Sequence, residues 1–297
     1  MKLSFSTLFF LLSGLSAETG YPAFDVFTSS AQLGLGGAGF LNPNSISSKL
    51  NPAVADTGRL FSTSMIRYPA NIISQSAGVS FPWKKGFVSG AVRHISYGIF
   101  EGYDSNSQST GKYQSGDTWI NGVFSKQFNT LPLRIGFGSQ FYSSSLKDTY
   151  IRALSFSAGI EFYIHRYQTT IGVSQHQFGH VFGSDIYGIL QSKTVLSASK
   201  KLAHLPLTLF LDSILSEDET PEIFLGGEFN LKNGLHIRWG TSTRKIDHNL
   251  NLDFLRTVLG ASGFGFGYDA NSITIHYGTF IYGAGATIHG LEIGIHF

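Results

Sequence analysis

A chain of 297 residues with 13% charged residues, 14% aromatic residues and no cysteine falls well short of the roughly quarter-charged composition of a soluble domain. A formal net charge of +2 argues against a dominant nucleic-acid surface, and the missing cysteine excludes a lipoprotein anchor. Beyond the first residues no apolar run reaches the roughly 18 residues of a membrane helix, so the apolar surface must be carried by alternating strands.

Residues 1–17 read as a secretory signal peptide. Lys2 supplies the positive end, Leu3 to Leu12 the apolar stretch, and Gly14, Ser16 and Ala17 the small-residue cleavage zone. The mature chain is expected to begin near Glu18. Residues 18–58 are rich in Gly, Ser, Asn and Ala, too apolar for a disordered tail and too Gly-rich for a helix. They suit a compact plug tucked into a barrel mouth, with Leu33, Gly34, Gly36, Gly37, Asn51, Pro52 and Ala53 as its motif. A dinucleotide loop at 34–39 would need a strand before it, a helix after it and an acid about twenty residues on. Asn42-Pro43 interrupts any such helix.

Residues 59–297 alternate in short segments separated by turn residues, as an antiparallel meander does. Strands are predicted near 59–68, 71–81, 86–98, 117–128, 132–145, 150–164, 166–176, 190–202, 205–215, 221–230, 234–244, 261–269, 271–280 and 286–297. Fourteen is an even number, as bacterial barrels require. The fold class is therefore all-β, a transmembrane antiparallel β-barrel of about 14 strands with an N-terminal plug. Leu133, Ile135, Phe137 and Phe141 oppose Arg134, Gly136, Gly138 and Gln140; Leu154, Phe156, Ala158, Ile160 and Phe162 oppose Ser155, Ser157, Gly159 and Glu161; Leu235, Ile237 and Trp239 oppose His236, Arg238 and Gly240. Arginine facing lipid at mid-membrane costs about 2–4 kcal/mol. Arg134 and Arg238 should therefore point inward and the apolar set outward.

Connection lengths separate a barrel from a soluble sandwich. Trp83-Lys84-Lys85-Gly86, Asn129-Thr130-Leu131, the His165 corner, Ala203-His204, Leu231-Lys232-Asn233-Gly234 and Asp269-Ala270 are short and fall at every second connection, the periplasmic side. The opposite connections include 99–116, 177–189, 216–220 and 245–260. An internal echo supports the register: residues 125–133 match 199–207, and each places a proline, Pro132 or Pro206, at the start of a strand, where its missing N–H does least harm. Tyr68, Trp83, Tyr163 and Tyr167 are candidates for the interfacial aromatic girdles. In the closing strand, Leu291, Ile293, Ile295 and Phe297 share one face and Gly290, Glu292, Gly294 and His296 the other. This strand is expected to meet outer-membrane lipid and to be read by the barrel assembly machinery in a bacterial outer membrane.

Leu33-Gly34, Gly36-Gly37-Ala38 and the later Asn51-Pro52-Ala53 resemble the amino-terminal pattern of outer-membrane barrels related to long-chain fatty-acid transporters, which include the PorV and PorQ proteins of type IX secretion. Tyr97-Gly98-Ile99-Phe100 with Asp104, Gly111, Tyr113 and Asp117, and the 199–207 hairpin, resemble PorQ in particular. The resemblance implies a non-enzymatic membrane platform that binds a surface or periplasmic partner protein of type IX secretion and helps to attach exported cargo at the cell surface. It also implies an alternative, transport of small hydrophobic molecules such as fatty acids. Partner binding is expected in loops 99–116, 177–189 and 245–260.

No catalytic set stands out among the frequent Ser and His residues. His176 and His180, with Asp185, have metal-like spacing only on a helix, and are read as surface or lumen histidines. Glu217-Asp218-Glu219 reads as a solvated turn. No cofactor or metal is expected.

Overall fold

Alternation of period two is usable only by an extended chain, because successive side chains of a strand point to opposite faces. The computed structural model describes residues 27–44, 46, 50–54, 58–104, 106–128, 130–146, 149–183, 187–217, 220–244, 260–282 and 286–297. The signal-peptide region, residues 245–259, Asp185, Asp218 and Glu219 lie outside them.

The strands are β1 (Leu60–Arg67), β2 (Ile73–Trp83), β3 (Gly86–Tyr103), β4 (Ser109–Gln127), β5 (Leu133–Leu146), β6 (Thr149–Ile164), β7 (Thr169–Gly183), β8 (Tyr187–Ile189), β9 (Lys193–Lys201), β10 (Leu207–Leu215), β11 (Glu222–Asn230), β12 (Leu235–Ser242), β13 (Ser262–Ala270), β14 (Ile273–Ile281) and β15 (Thr287–His296). Neighbours in sequence pair antiparallel around the ring, and β15 closes on β1 from Leu60↔His296 to Arg67↔His289. The short β8 and the longer β9 occupy successive stretches of one edge of β7, so the wall has 14 staves. No described helix is long and apolar enough to cross a membrane.

Sorting of faces follows the sequence. Phe137, Phe156, Ile160 and Leu291 are 60%, 52%, 52% and 44% exposed on the outside, whereas Arg238 and Glu292 are buried inside. Arg134 also points inward, where Nη1 lies 3.2 Å from Glu161 Oε2. The echoed hairpins close identically: Phe128 N–H donates to Leu133 O (3.0 Å) and Leu202 N–H to Leu207 O (2.9 Å), while Pro132 O and Pro206 O accept from the next strand.

Several expectations need correction. The stretch 99–116 is mostly not a loop: β3 runs to Tyr103 and β4 begins at Ser109. Positive φ at Gly98 and Gly111 (98° and 100°) and polar side chains masked the alternation there. Likewise β7 continues to Gly183, through a bulge at Gln177 (φ 63°). The turn expected at Asp269-Ala270 lies two residues later, after the pair Ala270↔Ile273. Tyr68 turns inward to reach Phe27 O at 3.4 Å and is no girdle residue, whereas Trp83, Tyr163 and Tyr167 are exposed at the short-turn end. Strands β3 to β7 have 14–19 residues and the other long staves 8–11. A spanning strand needs about 9–11 residues, so one side of the wall stands taller than the bilayer requires.

Candidate functional site

The interior is organised by inward-facing glycines. Gly226, Gly240 and Gly263 pair side by side across β11 to β13, and Gly265, Gly278 and Gly290 across β13 to β15. On the opposite wall Gly136 of β5 faces Gly159 of β6. With no side chains there, backbone can approach backbone.

Residues 27–44 and 50–54 use that space. Thr28 and Leu33 are fully buried, and Leu35, Ala38, Phe40 and Asn51 are each 1% exposed. A single helical turn, α1 (Ser30–Gly34), is N-capped by Ser29, whose Oγ accepts from Gln32 N–H at 3.2 Å. A helix is thus present where glycine content argued for none, because the cap satisfies one of its orphan amides and the Gly run begins only as it ends. At Gly36, Gly37 and Gly39 the backbone takes φ of 64°, 96° and 95°, which turns the chain along the wall.

The contacts are close. A Cβ at Gly240 would overlap the Leu35 carbonyl, one at Gly263 the Leu33 carbonyl, and one at Gly278 the Ser30 carbonyl. Gly34 itself meets Gly265, where a Cβ would lie 2.9 Å from Gly265 Cα. Farther along, Asn51 Nδ2 donates to Ile160 O (3.0 Å) and Val173 O (3.3 Å), and its Oδ1 accepts from Ala53 N–H (2.9 Å). Pro52 and Asn51 fill the space that side chains at Gly136 and Gly159 would take. The segment therefore reaches both walls, with all seven motif residues Leu33, Gly34, Gly36, Gly37, Asn51, Pro52 and Ala53 buried.

Two barrel carboxylates hold it. Glu292 of β15 accepts from Ser30 N–H (3.1 Å), Ser30 Oγ (3.2 Å) and Asn44 Nδ2 (3.0 Å); Asp212 of β10 accepts from Gly39 N–H at 2.7 Å. Intramolecular hydrogen bonds of this kind are worth about 0.5–1.5 kcal/mol each. Sequence reading placed Glu292 on the inner face but gave neither acid a role. A signal existed in Leu207–Leu215, where Asp212 is the lone charge in a strand otherwise largely apolar. Apolar contact completes the seat: Leu35, Ala38 and Phe40 pack on Val195, Phe210 and Phe224, and Phe27 and Leu33 pack on Ile66, Phe280 and Ile288. Burial pushes the Tyr68 phenol, beside Phe27, well above its ordinary range. One pocket between the segment and this wall, lined by Phe27, Gln32, Phe40, Phe224 and Phe280, holds about 20 Å³, room for about one water molecule.

Beneath Gly34 lies a polar network. Arg238 Nε meets Glu228 Oε2 at 2.5 Å, Arg238 Nη1 donates to His276 Nδ1 at 3.1 Å, and His236 Nε2 stands 2.9 Å from Asp269 Oδ2. A separate cluster of Ile95, Trp119, Tyr142, Ala153, Val181 and Leu190 fills the interior face of the tall wall. There the Arg93 guanidinium lies 4.0 Å over Trp119, and Tyr97 OH donates to Asp117 at 2.7 Å. His176 and His180 both lie on β7, the first buried with Nε2 2.9 Å from Ser174 Oγ, the second exposed. No group of three metal-ligating side chains occurs among the described residues.

No protein-family model matches the chain, and no curated protein matches it in sequence. Solved structures do match in fold. A Pseudomonas aeruginosa FadL homologue aligns with TM-score 0.55 at 12% identity, over 90% of this chain and 98% of its own. The P. putida toluene transporter TodX aligns with TM-score 0.54 at 9% identity, over 91% of this chain and 98% of its own. A closed 14-stranded wall with an aliphatic and aromatic exterior is that of a bacterial outer-membrane protein.

Proposed function

We propose that this barrel is a non-enzymatic platform in type IX protein secretion, which binds a partner protein at its rim and helps to attach exported cargo at the cell surface. Residues 27–54 act in this reading as a plug. The observation that carries it is the seat of that segment: its described residues lie directly on the inner wall and are held by hydrogen bonds through Glu292, Asp212 and Asn51. A lumen filled by such a plug would direct function to the rim, where the tall wall of β3 to β7 projects. The PorQ-like residues of 97–117 lie on that wall.

A second reading, transport of a small hydrophobic molecule, is favoured by the fold shared with the FadL homologue and TodX. Deleting the gene and measuring both the surface proteome and fatty-acid uptake separates the two. Loss of exported proteins from the surface with normal uptake supports the platform. Impaired uptake with an unchanged surface proteome overturns it in favour of transport.

A further inference from the structure

Above the bilayer-sized part of the wall, β3 and β4 rise alone. The β2–β3 ladder stops at Ile73↔Ser96 and the β4–β5 ladder at Ser115↔Leu146, yet β3 and β4 remain paired from Gly98↔Ser115 to Tyr103↔Ser109. Residues 98–103 and 109–114 thus form a two-stranded ribbon with neither outer edge paired to another described strand. Such a ribbon is marginally stable in water and gains from a third strand.

Its two edges are not alike. Each edge has one left-handed glycine, Gly98 on β3 and Gly111 on β4, and one charge, Glu101 and Lys112, but the β4 edge is otherwise largely polar, with Ser109, Thr110 and Gln114. The β3 edge carries Ile99, Phe100 and Tyr103, which are 71%, 41% and 58% exposed. Phe100 is stiffened by stacking on Tyr113 at 5.6 Å between centroids. Open N–H and C=O groups beside exposed apolar side chains are what strand addition recognises.

We propose that the β3 edge at residues 98–103 docks an extended, apolar-patterned segment of a different protein, which adds as an antiparallel strand. This deepens the platform reading and rests on it. The added strand would take up pairing with β3 beyond the bulge at Tyr97 and Gly98, above the turn at 68–72 where β2 departs. A second copy of this chain does not fit. Two barrels inserted the same way are related by a two-fold axis along the membrane normal, and strands tilted by about 40° would then cross at about 80° instead of pairing.

The test places a photo-crosslinking amino acid at Ile99, Glu101 and Tyr103, one at a time, in the full-length barrel in its native cells, and maps each adduct to a residue. The expected result is one partner protein whose attachment site moves backward by about two residues at each step, as antiparallel strands require. Ile99→Lys with Tyr103→Lys should lower adduct yield from Glu101 by about tenfold while the heat-dependent gel shift of the folded barrel is unchanged. Adducts only with lipid, with this chain itself, or with a protein but without the stepwise register overturn the proposal, as does no adduct at all. Stepwise adducts alongside a deletion strain with an unchanged surface proteome would sink the platform reading and leave the edge intact. Loss of surface proteins without stepwise adducts would do the reverse.

Discussion

Gly240→Ala is the sharpest probe of the N-terminal seat. Its added methyl would overlap the Leu35 carbonyl and crowd Gly36 N at 2.9 Å, and these are backbone atoms that cannot rotate aside. Overpacking of this kind costs about 1–3 kcal/mol. Because the barrel wall is fixed by two ladders, from β11 and β13, the segment is what yields. A shift of that size raises the population of the displaced segment by about 5–150-fold. The chain has no cysteine, so Ala31→Cys on α1, 7% exposed, supplies a single reporter. Its maleimide labelling rate in the folded barrel should rise by that factor when Gly240→Ala is added. Gly90→Ala is the control, since its Cβ would meet nothing closer than Asn121 O at 3.7 Å. Equal labelling rates in the Gly240 and Gly90 variants would refute the argument that glycines on β11 to β15 seat the segment.

With the same reporter, Glu292→Gln should accelerate labelling by about tenfold, since the amide nitrogen cannot accept, which removes bonds to Ser30 or Asn44 worth about 0.5–1.5 kcal/mol each. An unchanged rate would remove Glu292 as an anchor. Arg238→Ala should destabilise the barrel by about 3–5 kcal/mol because Glu228 is left buried without its partner, measured as a lower urea midpoint; the double variant Arg238→Met, Glu228→Met should recover most of the loss. Leu291→Arg puts a charge on the lipid face near the middle of β15 and should cost about 2–4 kcal/mol, seen as less heat-shifted, folded protein. Wild-type stability for that variant would mean that the face does not meet lipid.

How much of this was readable in the chain depends on whether neighbours in sequence are neighbours in space. Leu291, Ile293 and Ile295 against Glu292 and Gly294 announce their faces, because strand alternation is local. So do Arg134 and Arg238, which lipid would penalise. The reach of β3 and β4 to Tyr103 and Ser109 was hidden, since Gly98, Gly111 and polar side chains there resemble a loop until the partner strand is placed opposite. Asp212 and Glu292 lie 173 and 262 residues from the groups they hold. No local pattern pairs them with Gly39 and Ser30.

The sequence by itself determined the strands, their faces and the outer-membrane barrel, because period-two alternation and short turns of two to five residues are properties of adjacent residues. Only the tertiary structure decided what the inward glycines are for. Gly226, Gly240, Gly263, Gly265, Gly278 and Gly290 sit on different strands, and they become one surface only when the sheet closes and the N-terminal segment is laid against it.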